Sequence, residues 1–100
     1  EWFGIRAQMR RAAVSVPNNL VEGSARSGAR DYLKFLDIAL ASACEVQYLA
    51  RLARELGYAA DSEWADVESR CSSVVRQLQR LVQSVGELVD GKRRSRKQAP

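Results

Sequence analysis

The feature that most constrains this chain is its last apolar pattern. Trp64, Val67, Cys71, Val74, Leu78, Leu81, Val85 and Leu88 recur at alternating steps of three and four. That spacing gathers side chains onto one face of an α-helix, whereas a strand would scatter them over both of its faces. Val75, Val82 and Val89 add a third apolar position per heptad. The face is therefore as wide as a bundle helix needs, not the narrow seam of a two-stranded coil. Asp61 or Ser62 can cap this helix, and Glu63, Asp66 and Glu68 complement the positive end of its dipole. Gly91 is its expected stop. A helix over about 62–90 would be roughly 43 Å long, and it needs partners of similar length.

The sequence before it supplies two. From about 31 to 56 the apolar positions Tyr32, Leu33, Phe35, Leu36, Ala39, Leu40, Ala43, Cys44, Val46, Leu49, Ala50, Ala53 and Leu56 cover more than half of a helix circumference. Such a helix has neighbours on more than one side, and Ala39, Ala43, Ala50 and Ala53 let them come close. Asp31 suits its first turn, Ser27 or Gly28 its cap and Gly57 its end. The connection Gly57–Asp61 is short, so the next helix returns antiparallel. In the first segment, Trp2, Ile5, Met9, Ala12, Val16 and Leu20 form a seam, and Phe3, Val14, Pro17 and Val21 form a second apolar flank. Pro17 removes one backbone donor and crowds the Ala13 carbonyl, which predicts one kinked helix over about 2–23. Arg10 falls within the second flank and is expected to be packed and paired. Arg11 falls on the polar side and is expected to face water. Gly23 is the expected end, with Gly23–Gly28 as a loop. The fold class is thus all-α, an antiparallel up-and-down bundle. Residues 1–91 form the helical domain, and 92–100 form a basic tail expected to be disordered.

Charge is distributed unevenly. Of 16 basic residues, Lys92, Arg93, Arg94, Arg96 and Lys97 lie in the last nine positions, so residues 1–91 carry 11 basic against 12 acidic side chains. The first 34 residues hold Arg6, Arg10, Arg11, Arg26, Arg30 and Lys34 against Glu1, Glu22 and Asp31. No apolar run approaches the ~20 residues of a membrane span. The two cysteines, Cys44 and Cys71, have no CxxC spacing, and the chain contains no histidine. They are expected to be buried, reduced thiols in a cytoplasmic protein, with no metal site. Without histidine, a phosphate-binding glycine loop or a Glu-x-x-His pair, no catalytic, cofactor or small-molecule site is expected.

At Arg10–Gly23 the run RRAAVSVPNNLVEG resembles the 23S rRNA intervening-sequence protein family. The likeness continues through Arg30-Asp31-Tyr32-Leu33-Lys34-Phe35-Leu36, Ile38-Ala39-Leu40-Ala41-Ser42, Glu45 and Leu56-Gly57-Tyr58, about 50 residues in all, whereas the last helix matches only in pattern. The resemblance implies a bacterial four-helix bundle protein that assembles into homo-oligomers, pentamers in particular, with a poorly defined role. At the level of fold alone it extends to the basic pentameric accessory proteins of diversity-generating retroelements. Family members carry a further helix ahead of the segment corresponding to Trp2–Gly23. Its absence here is expected to mean a truncated sequence or, second, a bundle completed by a partner. Ser27 lies one residue before the family's usual capping serine.

Two functional readings follow. The first is electrostatic binding of RNA or DNA by Arg6, Arg11, Arg26, Arg30 and Lys34 together with Lys92, Arg93, Arg94, Arg96 and Lys97, giving salt-dependent and sequence-blind affinity. Weighed against it, charged residues of this kind are more often solvated surface or partners of Glu22, Asp31 and Asp37. The second is a protein-interaction scaffold without nucleic acid, in which Phe3, Arg10, Val14 and Val21 contact another copy, unless another helix of the same bundle covers them.

Overall fold

The computed structural model describes residues 1–98, with side chains through Arg96. It contains three α-helices: α1 (Trp2–Ser24), α2 (Ala29–Glu55) and α3 (Asp61–Gln98). No strand occurs among the described residues, so the chain is all-α. The helices run antiparallel in sequence order and span 62 × 20 × 16 Å. α2 is central. α1 and α3 each pack along it and not along each other. This is why α2 needs the widest apolar stripe, and why Ala39, Ala43, Ala50 and Ala53 are all buried: small side chains there admit a neighbour on each flank.

The core is divided between two clusters. At one end Ile5, Leu49, Ala50, Ala53 and Trp64 are buried together, with Trp2, Met9 and Tyr58 packed on them. Farther along, Ala39, Ala43, Val75 and Leu78 form the second cluster, flanked by Val16, Leu20 and Leu40. Leu36 of α2 is fully buried. The seam expected on α1 is the face that packs: Ile5 and Ala12 are buried and the other four positions half-buried.

Gly57 ends α2 as anticipated. It adopts a left-handed φ of 76°, its N–H donates to the Arg54 carbonyl, and the Tyr58 N–H donates to that of Ala53. These two bonds are the Schellman arrangement, and it needs a residue without a Cβ at that position.

Several expectations are corrected. Gly23 does not terminate α1; it lies within the helix and is buried. A Cβ there would stand 2.9 Å from both the Phe35 Cβ and the Tyr32 ring, so glycine is required for close packing of α1 on α2. The connection between these helices is consequently only Ala25–Gly28. The expectation of one helix through Pro17, by contrast, holds: α1 is a single helix with Pro17 inside it. Across it, from two residues after Pro17 to two residues before, Asn19 donates to the Ser15 carbonyl at 2.7 Å and to the Ser15 hydroxyl at 3.0 Å. The Ser42 hydroxyl of α2 donates to that of Ser15 at 2.8 Å. The serine and asparagine of the SVPNN run thereby fix the register of α1 on α2.

α2 begins at Ala29, with Gly28 and not Ser27 as its cap. α3 already includes Asp61 and Ser62, so neither of them precedes it as a cap. On α3 the buried stripe is rotated from the one expected. Val75 is buried while Val74 and Leu88 are exposed, because α3 packs along α2 and not along α1, which it touches near Trp64. Cys44 is exposed and Cys71 half-buried, so neither is a fully buried thiol. Arg10 is exposed, as is Arg11, and it has no ion-pair partner among the described residues. α3 continues through Gly91 to Gln98, where a disordered tail was expected from residue 92. Ala99 and Pro100 of that tail lie outside the described residues.

Candidate nucleic-acid interface

Antiparallel packing puts the C-terminal end of α1, the N-terminal end of α2 and the last turns of α3 at one end of the molecule. The basic residues singled out by sequence do not all gather there. Arg6 is near the opposite end, its guanidinium 5.0 Å from the centre of the exposed Phe3 ring. Arg11 is exposed on the middle of α1. Two others at the basic end are already engaged. Arg26 pairs with Glu22 at 2.6 Å and lies 4.9 Å from the centre of the Phe35 ring. Lys34 is 3.8 Å from Asp31 on an exposed surface, where such a pair is worth little.

Arg30 has a different setting. It lines a cleft with Lys92, Arg93 and Arg96 of α3, over a floor of Gly28, Ala29 and Val89. The cleft has a volume of about 220 Å³. Among the described residues, none of these four cations takes part in an ion pair. Arg94 is exposed beside the cleft without lining it. The side chain of Lys97 lies outside the described residues.

The continuation of α3 makes this cleft. Val89, Lys92, Arg93 and Arg96 stand at i, i+3, i+4 and i+7, one face of a helix. Read as a disordered tail, these residues have no fixed relation to Arg30. Read as helix, they carry the stripe that packed α3 on α2 onward, with cations replacing apolar residues beyond Val89. That spacing was the available signal in the sequence. Treating Gly91 as a stop hid it, although an interior glycine costs a helix only ~1 kcal/mol.

A second hollow, between α1 and α3, differs in kind. Ala13, Val16 and Pro17 of α1, Ala43 and Val46 of α2, and Cys71 and Val74 of α3 line an apolar slot of about 250 Å³, with Arg70 at its edge. Burial, with Glu68 adding to it, pushes the Cys71 thiol above its ordinary pKa. Phe3, Val14 and Val21, expected as contact residues, are exposed and fall on one stripe of α1 with Arg10. Cys44 and Tyr48 are likewise exposed on α2.

The family model described as 23S rRNA-intervening sequence protein matches residues 1–89. The chain belongs to that family. The match agrees with the resemblance carried by the Arg10–Gly23 run. Lys92, Arg93 and Arg96 lie beyond the matched residues, whereas Gly28, Ala29, Arg30 and Val89 of the cleft lie within them. No individually curated protein matches the chain significantly. Among the described residues, no helix is long and apolar enough to cross a membrane.

Proposed function

We propose that this protein is a non-catalytic, homo-oligomeric helical-bundle protein of the bacterial cytoplasm that binds RNA or DNA through its basic end. The observation that carries the nucleic-acid reading is the convergence of Arg30 with Lys92, Arg93 and Arg96 on one cleft. Four neighbouring cations with no carboxylate partner repel one another, and a polyanion relieves that repulsion while releasing its own counterions. An oligomer would repeat the cleft and so raise affinity for a long strand through avidity.

The oligomeric part of the proposal is supported by apolar surface that the three helices leave open. The apolar slot between α1 and α3 and the Phe3–Val14–Val21 stripe with Arg10 suit contact with another copy. The pentamer is the assembly that the family resemblance favours.

Binding of a labelled RNA across a salt series tests the first part. A steep fall of log affinity with log salt is expected, becoming shallower by roughly one unit for each phosphate contact removed when Lys92, Arg93 and Arg96 are replaced by alanine. Affinity no greater than for a neutral polymer at low salt would overturn it. Light scattering tests the second part: a pentamer is expected, and a monomer would overturn it. The exposed Phe3–Val14–Val21 stripe favours a second reading, a protein-interaction scaffold without nucleic acid. That reading gains if the assembly forms and RNA does not bind.

A further inference from the structure

We infer that the cleft at the start of α2 is a discrete binding site for a single phosphate group, gripped by Arg30, Lys92, Arg93 and Arg96 together. This deepens the nucleic-acid reading and rests on it only for the source of the phosphate. The inference starts from a conflict of charge within the free protein. Arg30 is the second residue of α2, a helix of 27 residues, where the dipole disfavours a cation and favours an anion. Three further cations approach the same place from α3. Asp31, the acidic residue of that first turn, lies beside Lys34 and does not line the cleft, and neither does Asp90 of α3. The site thus concentrates positive charge from two separate helices around a hollow, without a counter-charge lining it.

The hollow also presents hydrogen-bond donors of the right kind. Gly28 caps α2 in an extended conformation, φ −134° and ψ 150°, and provides no side chain to cap it. The first bond of the helix is from the Tyr32 N–H to the Gly28 carbonyl at 3.0 Å, so the preceding amides of Ala29, Arg30 and Asp31 have no intrahelical acceptor. Nothing lies within 4 Å of where a Cβ on Gly28 would stand, which leaves that approach open. Arginine forks around the rim suit tetrahedral oxyanions by paired, charge-assisted hydrogen bonds. Val89 on the floor forms one apolar wall. A phosphate, with several acceptor oxygens and negative charge, matches this donor set. It can come from a nucleic-acid strand or from free phosphate.

Two variants and two probes test this. The full chain is titrated with inorganic phosphate against a chloride control of equal ionic strength, reading backbone amide resonances. Saturable shifts are expected at Ala29 and Arg30, the α2 residues that line the cleft. Arg93→Ala should weaken the phosphate affinity about tenfold, the loss of one charge-assisted contact. Gly28→Asp should abolish it, by placing a carboxylate over the same amides, without unfolding α2. Shifts that do not saturate, or that spread equally to Arg6 and Arg11, would overturn the site, as would unchanged phosphate affinity in both variants. A short labelled RNA then distinguishes the source. If both variants weaken RNA and inorganic phosphate competes with it, the phosphate is that of a strand. If phosphate saturates the site but RNA does not bind, the site stands for free phosphate and the nucleic-acid reading falls. If RNA binds with a steep salt dependence while phosphate does not saturate, the nucleic-acid reading stands and the discrete site falls.

Discussion

The two ends of this molecule satisfy their side chains in opposite ways. At the α1 start, the Trp2 ring stacks on Tyr58 with centroids 5.0 Å apart and meets Trp64 edge-on at 6.2 Å. Trp64 is buried against Ile5, Leu49, Ala50 and Ala53. Arg54 there reaches Asp61 at 3.5 Å and Glu68 at 3.3 Å, while Trp64 Nε1 and the other Glu68 oxygen are buried without a hydrogen-bond partner among the described residues. At the other end Gly28, Arg30, Lys92, Arg93 and Arg96 surround an open cleft in which charge is not matched. One end spends its residues on closing the fold. The other gathers exposed cations from two helices with no carboxylate of the described residues lining the cleft, and the proposed binding rests on that arrangement.

The sharpest way to break the comparison is to remove one anchor from the closed end. Trp64→Ala should cost about 3–5 kcal/mol in urea unfolding, because it removes the largest buried side chain of its cluster and the edge-on partner of Trp2. A loss below ~1 kcal/mol would mean that this end is not a core. Leu78→Ala, in the second cluster, should cost about 2–5 kcal/mol.

Next in size is Gly23→Ala. Alanine favours an ordinary helix interior by ~1 kcal/mol over glycine. Here the added methyl meets the Phe35 Cβ at 2.9 Å, an atom too close to its own backbone to swing aside. Overpacking of this kind costs about 1–3 kcal/mol, so a net loss of about 1 kcal/mol is expected. A gain in stability would show that α1 can lift off α2 freely at the basic end.

How much of this was legible in the sequence depended on which pattern carried it. Three helices, their order, the packed seam of α1 and the alanine face of α2 could be read directly, because apolar periodicity reports burial. The Gly57 stop was equally legible, since a Schellman ending needs the left-handed residue in one place. Gly23 and Gly91 look the same as Gly57 in the sequence and do different things. Gly23 is fixed by the distance between two helices, which no local pattern states, and Gly91 is simply passed over by a long helix. That single misreading scattered the candidate site. It left Arg30, Lys92, Arg93 and Arg96 in one set with Arg6 and Arg11, which the fold separates from them, and gave no sign that these four share a cleft. Arg10 was placed by angle on an apolar flank, and the angle was right. What the angle could not say is that nothing among the described residues covers Phe3, Arg10, Val14 and Val21 of that flank.

The thiols offer a smaller contrast, between a residue on the open surface and one in the apolar slot. Cys44 is exposed, while Cys71 is half-buried with its pKa raised, so less of it is thiolate at a given pH. Alkylation followed by mass spectrometry should modify Cys44 first, and Cys71 only later as pH increases. Equal rates would mean that the slot is open to solvent.

The smallest expected stability change is the one that bears most directly on the comparison. Gly28→Asp adds a capping carboxylate to amides that lack one and sets a negative charge among the four cations. Stability should rise by ~0.5 kcal/mol. Arg30→Ala should leave stability within about 0.5 kcal/mol of the parent, because it removes an exposed cation from the unfavourable end of a dipole. Both should weaken phosphate and RNA binding. Affinity lost while stability holds or rises is the signature of residues kept for a ligand. If Arg30→Ala instead destabilises the protein as a core substitution does, the basic end is architecture after all, and the two ends differ in composition but not in purpose.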